Sequence, residues 1–388
     1  MCTEVYNMKI GVNARFLIKD RLEGFGHYTH EVMSRIVRHH PVDDYHFFFD
    51  RKFSTDYLYN DHVNGRVLFP PARHPVLFYI WYQYALRNAL HNIAPDVFFS
   101  PDNFMPLDLR CPSVITVHDV AYRRYPEAIS FAQRNYYAHF MPRFLNEASA
   151  VITVSEFSKR EILKYYPTAE EKIFVIYNGI GTDYKPLSAE VQDAVRMQFT
   201  QGHPYFLFVG AIHPRKNVAR LIEAYTLFRK NSDADMKLLI AGRKSWDYAD
   251  VTRVLAACPY RSDIVFTGYV LAETLAKITA SAYALCYISL YEGFGLPVAE
   301  AMACGIPVIV SRDSAQSEVA GDAGLNVDPV NIEDIMHGMQ QITKENTLRN
   351  TLIQAGLVRS RIFSWDVAAK NTYAILEATA QSKVNKKQ

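Results

Sequence analysis

The sequence predicts an α/β protein of two tandem domains, each a doubly wound, mostly parallel sheet. Three observations predict it. Short β-branched or aromatic runs alternate with helical patterns along nearly the whole chain. The runs are almost continuously apolar, as parallel strands buried on both faces require. The chain has 388 residues, and at roughly 100–200 residues per domain that suggests two.

In the first half, strands are expected at Lys9–Val12, Tyr45–Phe49, Arg66–Phe69, Asp96–Ser100, Ser113–Val117, Ala150–Val154 and Lys172–Tyr177. Helical patterns fill the gaps at Gly26–His39, Val76–Asn92, Phe131–Glu147 and Glu156–Tyr165. The rhythm then pauses. Asn178–Ala189 holds two Gly, one Pro and no periodicity, so it reads as a linker. A second series follows, with strands at Tyr205–Val209, Lys237–Ala241, Ile264–Thr267, Ala284–Ser289, Pro307–Val310 and Gly324–Val327. Its helices are expected at Asn217–Arg229, Tyr248–Ala257, Leu271–Ser281 and Pro297–Ala303, and the stretch from Ile332 to Gln381 reads as helical. The domains are therefore placed at 1–185 and 190–364. A terminal helix at 365–381 follows the last strand and is expected to pack back on the first domain. In open α/β sheets ligands bind outside the carboxyl ends of strands, so two facing domains would form a cleft.

Composition narrows the function classes. Forty-two Lys and Arg against 40 Asp and Glu give a formal net charge of +2, with no basic arm, so nucleic acid is not an expected partner. Aromatics make up 13%, which suits sugar-facing or lipid-facing surfaces and equally a large aromatic core. The five cysteines, Cys2, Cys111, Cys258, Cys286 and Cys304, have no C-x-x-C spacing, which argues against a disulfide framework or zinc ribbon and fits a reducing cytoplasm. Met1–Ile10 lacks an apolar core, so no signal peptide is expected. The apolar run Leu296–Val310 is interrupted by Glu300 and is too short to span a bilayer. Val76–Leu86 is apolar nearly all round and reads as a core helix, with contact to lipid or a partner as the alternative.

The residues that carry chemistry lie at predicted strand ends. Tyr287–Ser311 reads YISLYEGFGLPVAEAMACGIPVIVS. Gly293 and Gly295 precede a helix opening at Pro297, where backbone amides and the helix dipole favour an anion. Glu292 lies before that helix. Glu300 lies inside it among small apolar residues, a costly place for a carboxylate that binds nothing. In Phe208–Leu221 a strand ends at Gly210 and a helix begins near Asn217, expected as its N-cap, with Arg215 and Lys216 between. A bidentate fork beside a point charge suits a diphosphate. His118 and Asp119 close the strand of VITVHDV. Gly24 and Gly26 sit between the first strand and first helix, without the third glycine of a dinucleotide fingerprint, which disfavours an oxidoreductase.

Taken together and in this order, these segments resemble the retaining nucleotide-sugar glycosyltransferases of family 4, with GT-B architecture. The matching features are Gly24–Gly26, His118-Asp119, Val154–Ser158, Asn178-Gly179, Pro214–Asn217 and Glu292…Glu300 around GFGLP, and they span about residues 8–380. The resemblance implies that Arg215 and Lys216 hold the donor diphosphate and that Glu300 binds the nucleotide ribose. Glu292 would lie by the donor sugar, with Gly210, Phe294, Gly295 and Leu296 contributing to the donor site through their backbone. His118 would hydrogen-bond the sugar near the reacting carbon, and Gly24 and Gly26 would let the first domain approach the diphosphate. His118, Glu292, Arg215 and Lys216 form the expected catalytic set. Acceptor contacts are expected from Asp102, Asn103 and Phe104 and from Tyr122 and Arg123.

No cofactor and no metal are expected. Asp233-Ala234-Asp235 precedes a strand in a polar loop and reads as solvated, and the pairs His27/His30 and His39/His40 read as surface histidines. The style of SPDNFMP followed by TVHDV is most similar to bacterial mannosyltransferases of polysaccharide and lipopolysaccharide assembly. That favours GDP-mannose as donor over a UDP-sugar. A saccharide or lipid-linked oligosaccharide is then the acceptor, in the cytoplasm and peripheral to the inner face of the membrane. The alternatives are a non-hydrolysing nucleotide-sugar epimerase, a phosphorylase of the same architecture, or a silent binding scaffold.

Overall fold

The structure is a computed structural model that describes residues 7–19, 22, 24–243 and 248–385. Its chain divides into two compact units, Met1–Gly179 with Ser364–Gln388, and Ile180–Phe363. Cys2 lies outside the described residues. The other four cysteines are buried.

The first unit is built on a parallel sheet of β1 (Lys9–Asn13), β2 (Asp44–Phe49), β3 (Val63–Val67), β4 (Val97–Ser100), β5 (Ser113–Val117), β6 (Ala150–Thr153) and β7 (Ile173–Val175). Its spatial order is β3-β2-β1-β4-β5-β6-β7. The order reverses between β1 and β4, where Ile10 stands opposite Tyr45 on one side and Val97 on the other. One face packs Ile10, Val12, Val32, Ile36 and Phe47 against Trp365, Ala368 and Leu376 of the terminal helix Trp365–Asn385. The other packs Phe48, Phe98 and Ile115 against Trp81, Leu86 and Phe144. Two buried faces explain the unbroken apolar character of β4 and β5.

The second unit holds β8 (Tyr205–Val209), β9 (Lys237–Ala241), β10 (Ile264–Gly268), β11 (Ala284–Tyr287), β12 (Val308–Ser311) and β13 (Gly324–Val327). Their order is β10-β9-β8-β11-β12-β13, again parallel, with the reversal between β8 and β11.

The differences from expectation have physical reasons. The third strand is Val63–Val67 rather than Arg66–Phe69. It is an edge strand whose Asn64 and Arg66 are exposed and whose Gly65 has no side chain to bury, so no apolar run marks it. The helix expected over Val76–Asn92 is interrupted by a π-helical turn at Trp81–Leu86. That turn brings Trp81, Tyr82, Gln83 and Leu86 inward, while Val76, Tyr79 and Tyr84 remain 58%, 36% and 49% exposed. The segment is thus core on one side and exposed on the other. The second unit begins at Ile180, and the helix Ala189–Thr200, which starts where the stretch read as a linker ends, is not among the expected helices. That helix buries only Val195 and Thr200, too little to print a pattern.

Candidate active site

In the second unit the candidate residues follow β8 and β11, which flank the reversal of strand order where a doubly wound sheet leaves a crevice; in the first, Gly24 and Gly26 come after β1 and the Asp102 loop after β4, which flank the reversal, and His118 follows the next strand, β5. In the second unit β8 runs into Gly210 at φ 139°, and a 3₁₀ turn at Pro214–Lys216 precedes the helix Val218–Lys230. Across the reversal, β11 leads to Glu292 and to the helix Leu296–Ala303, which opens from Gly295 at φ 111° with no side-chain cap.

These loops meet through charge. The Lys216 ammonium donates to Glu292 Oε1 at 2.6 Å and to the Tyr287 hydroxyl at 2.8 Å. Arg215 donates to the Tyr291 carbonyl at 2.6 Å and stands 3.4 Å from Glu292 Oε2. Burial works against ionising Glu292, but Lys216 and then Arg215 overcome it and hold the carboxyl below its ordinary range. Burial likewise works to lower the Lys216 value, and Glu292 raises it above the ordinary range. All three groups are therefore charged at neutral pH, and two cations share one carboxylate beside an uncapped helix start. That excess positive charge is what a diphosphate needs.

Glu300 is only 8% exposed and has no cation among its influences. Burial pushes its carboxyl up to about 8, opposed by a hydrogen bond with Tyr184. Phe294 turns its ring toward Phe363 at 5.6 Å, so its share in any site is its backbone.

Asn217 corrects an expectation. It sits at φ 62° and makes no side-chain cap on the following helix. Its amide instead donates to the Ile288 carbonyl at 3.1 Å and the Pro329 carbonyl at 2.6 Å, tying three loops together.

In the first unit, Gly24 takes φ 50°, a conformation that favours glycine, and a Cβ on Gly26 would collide with the Phe16 carbonyl. His118 is held on every side. Its backbone N–H donates to Asn103 Oδ1 at 2.9 Å and its carbonyl accepts from Ser158 Oγ at 3.2 Å. The Phe25 and Tyr28 rings lie 4.9 and 4.7 Å from the imidazole. Nε2 faces the Pro101 carbonyl at 2.9 Å and must be the donor there. Burial lowers its pKa, so the ring is neutral near pH 7 with its lone pair on Nδ1.

Three expected acceptor residues are corrected. Asp102 is 1% exposed and accepts from Asn13 at 2.8 Å, Tyr82 at 3.1 Å and the Phe104 amide at 2.9 Å. Burial raises its carboxyl to about 6. Asn103 is spent on His118 and on the Asp119 carbonyl at 3.3 Å. Tyr122 is buried, bonded to the Tyr166 hydroxyl at 2.8 Å and stacked on Tyr137 at 4.2 Å. These side chains are committed to the framework. Phe104 is half-buried, and Arg123 is exposed over the Tyr165 and Tyr166 rings.

Sequence reasoning missed Tyr184, Tyr287, Asn13 and Tyr82. Each acts on a partner distant in the chain, and none carries a motif. Asp235 pairs with His203 at 2.7 Å, before β9 and so at the opposite end of the sheet from Arg215. His30 bonds the Tyr59 hydroxyl at 3.0 Å, and His40 stacks on Tyr373. No group of three metal-ligating side chains occurs among the described residues.

The whole chain is similar in fold to the sucrose-phosphate synthase of Thermosynechococcus elongatus, with a TM-score of 0.77, 17% identity, and 97% of this chain and 100% of that one covered. Two parallel-sheet units with this likeness define a GT-B type fold. Residues 22–184 match Glycosyltransferase Family 4 and residues 193–359 match Glycosyl transferases group 1, and the chain belongs to this glycosyltransferase family. It is 28% identical over 368 residues to the O-antigen chain mannosyltransferase B of Escherichia coli, covering 92% of this chain and 96% of that one. It is 32% identical over 258 residues to the O-antigen chain mannosyltransferase RfbU of Salmonella typhimurium, covering 66% and 67%. An epimerase finds no support among these relatives.

Proposed function

We propose that the enzyme transfers mannose, with retention of anomeric configuration, from GDP-mannose to a saccharide or lipid-linked oligosaccharide in surface polysaccharide synthesis. A UDP-sugar is the second choice of donor. The observation that carries this reading is the Arg215–Lys216–Glu292 cluster beside the helix start at Gly295. The names of the two O-antigen mannosyltransferase relatives support the sugar and the setting.

On this reading the second unit binds the donor and the first the acceptor. Departure of the nucleoside diphosphate builds negative charge on its oxygens. Arg215, Lys216 and the amides at Gly295–Leu296 are already in place to stabilise it, more in the transition state than in the ground state. Glu292 keeps both cations aimed. Glu300 takes the ribose hydroxyls, and Nδ1 of His118 accepts from a sugar hydroxyl. We assign no covalent nucleophile; attack from the leaving-group face within an ion pair gives retention. No metal is needed, because the cations supply the charge that Mg²⁺ would otherwise bring.

No helix among the described residues is long and apolar enough to cross a membrane. The reading places the enzyme in the cytoplasm, and the exposed Val76, Tyr79 and Tyr84 support peripheral contact with the membrane face.

Incubation with GDP-mannose and with UDP-hexoses, in the presence of a mannose-terminated acceptor, tests the reading. Release of GDP with a longer saccharide product is the expected result. Release of UDP alone would replace the donor, and no release from any nucleotide sugar would overturn the proposal.

A further inference from the structure

The segment after β12 lays one side chain against the glycine loop of the candidate site. Ser314 opens the helix Ala315–Ala320: its hydroxyl accepts from the Ser317 amide at 3.1 Å, and the Ser317 hydroxyl accepts from the Ser314 amide at 3.0 Å. This reciprocal cap fixes the backbone of Gln316, the second residue of the helix. The side chain is anchored as well. Nε2 donates to the Ser289 carbonyl at 3.0 Å, an oxygen that also accepts from Ser311 Oγ at 2.7 Å. Ser289 stands between Ile288, whose carbonyl takes the Asn217 amide, and Leu290, whose N–H donates to the Arg215 carbonyl at 2.8 Å. Gln316 is thereby tied to the segment that anchors the Arg215 and Lys216 loop.

The other end of the amide is unspent. Gln316 is fully buried, and its Oε1 accepts from no group among the described residues. An amide oxygen kept from water without a hydrogen bond is costly. Exchanging the two amide atoms gives no relief, because it would set the oxygen against the Ser289 carbonyl. The side chain lies against Gly295, where an added Cβ would stand 3.4 Å from both Cα and Cγ of Gln316. Gly295 is itself buried, takes φ 111°, and opens the helix Leu296–Ala303 without a side-chain cap. A rigid, unused acceptor thus adjoins a backbone that two glycines leave able to turn.

We propose that Gln316 is a positioning residue for this loop: when a nucleoside diphosphate occupies the helix start, a backbone N–H of Gly293 or Phe294 donates to Gln316 Oε1. The amides of Gly295 and Leu296 are then left to the anion. The empty protein carries the cost of the unused oxygen and the occupied one does not, so the residue favours the occupied arrangement. The inference rests on the reading of this loop as the diphosphate site, and it adds a residue from a third loop to that site.

Scanning fluorimetry and amide exchange on the full chain test it, with GDP and UDP as probes at the same concentration for every variant. Gln316→Met keeps an unbranched side chain of similar length and removes the oxygen. Its ligand-free unfolding transition should lie at or above that of the wild type, while Kd for the nucleoside diphosphate should rise about three- to tenfold, the worth of one hydrogen bond. The ligand should slow exchange in the peptide containing Gly293 and Phe294 in the wild type, and less so in Gln316→Met. Ser311→Ala removes a bond to the same Ser289 carbonyl without touching Oε1. It should lower the ligand-free transition and leave Kd within about twofold. Three results would each overturn the proposal alone: a Gln316→Met protein that binds as tightly as the wild type, one that is less stable than the wild type without ligand, or a Ser311→Ala protein whose Kd rises as much as that of Gln316→Met. A wild type that neither GDP nor UDP stabilises would instead overturn the diphosphate reading of the site, and the proposal with it.

Discussion

Glu292→Gln keeps the volume of the side chain and removes the single charge that organises the cluster. In the wild type the carboxylate, with its side chain 10% exposed, takes Lys216 at 2.6 Å and Arg215 at 3.4 Å. The variant leaves two neighbouring cations without their shared anion. Breaking a buried pair from one side typically costs about 3–5 kcal/mol. Here Lys216 keeps the Tyr287 hydroxyl and Arg215 keeps the Tyr291 carbonyl, so a cost of about 2–4 kcal/mol is expected. At roughly 2–4 °C per kcal/mol for a unit of this size, the unfolding transition should fall by roughly 4–16 °C. A bound nucleoside diphosphate returns the missing negative charge. Its stabilising shift, read by scanning fluorimetry at the same ligand concentration, should therefore be larger in the variant than in the wild type. The pH dependence has a definite sign. The Glu292 pKa is depressed in the folded chain, so its contribution is present above the ordinary value of 4.5 and is lost as pH falls below it. The gap between wild type and variant should close in acid. An unchanged ligand-free transition refutes the reasoning, as does a ligand shift no larger than that of the wild type.

Four further outcomes are expected. Arg215→Ala and Lys216→Ala should each lower kcat/KM by about 10–1,000-fold, from charge-assisted bonds worth roughly 1.5–3 kcal/mol and a share in the transition state; a double variant of near-normal activity removes the clamp from the mechanism. The Glu300 carboxyl is raised to about 8, so it disfavours the unliganded fold as pH rises from its ordinary 4.5 through 8; a ribose contact needs the ionised form, so donor KM should fall over the same rise, and Glu300→Gln should give a high, flat KM. Asn217→Ala should destabilise through two lost backbone contacts and a strained φ of 62°, whereas Asn217→Gly should recover about 1–2 kcal/mol of that loss in denaturant unfolding; equal stabilities would mean that the left-handed conformation carries no strain. Turnover should persist in excess EDTA and in Asp233→Ala with Asp235→Ala, since the Asp235–His203 pair is solvent-facing; complete loss restored by Mg²⁺ or Mn²⁺ overturns the cation clamp.

What the sequence discloses about this site is local. His118, Arg215 with Lys216, and Glu292 each lie soon after a strand end, and Gly24 and Gly26 stand at the start of the helix that follows β1. Strand ends can be read from apolar runs, and the order of strands then brings those of β1, β8 and β11 to the two reversals and that of β5 one strand away. Eight of the thirteen described strands begin at the residue expected, among them β5, β8, β9 and β13. Side-chain direction is another matter. Asp102 and Asn103 look like the polar tip of a loop, yet the loop turns them inward to Asn13, Tyr82 and the backbone of His118. Nothing in SPDNFMP specifies that turn; it depends on a tyrosine in a π-helical turn and an asparagine at the end of β1.

The same reasoning accounts for where the two kinds of error fall. A loop carboxylate meets its partners only after the strands pair, so its role is set by what stands opposite. Opposite Glu292 stand two cations, and the residue stays ionised and available to a site. Opposite Asp102 stand two hydroxyls and two N–H donors, one an amide side chain and one from the backbone, and burial raises its carboxyl to about 6. Opposite Glu300 stands one tyrosine hydroxyl, and the carboxyl is raised further, to about 8. The three differ in how much of their ionisation is supported from within the fold. Glu292 is fully supported and therefore positions other groups. Glu300 is the least supported, so it gains most from hydroxyl donors brought by a ligand. Asp102 is satisfied by the protein itself, which is why its loop can hold His118 still.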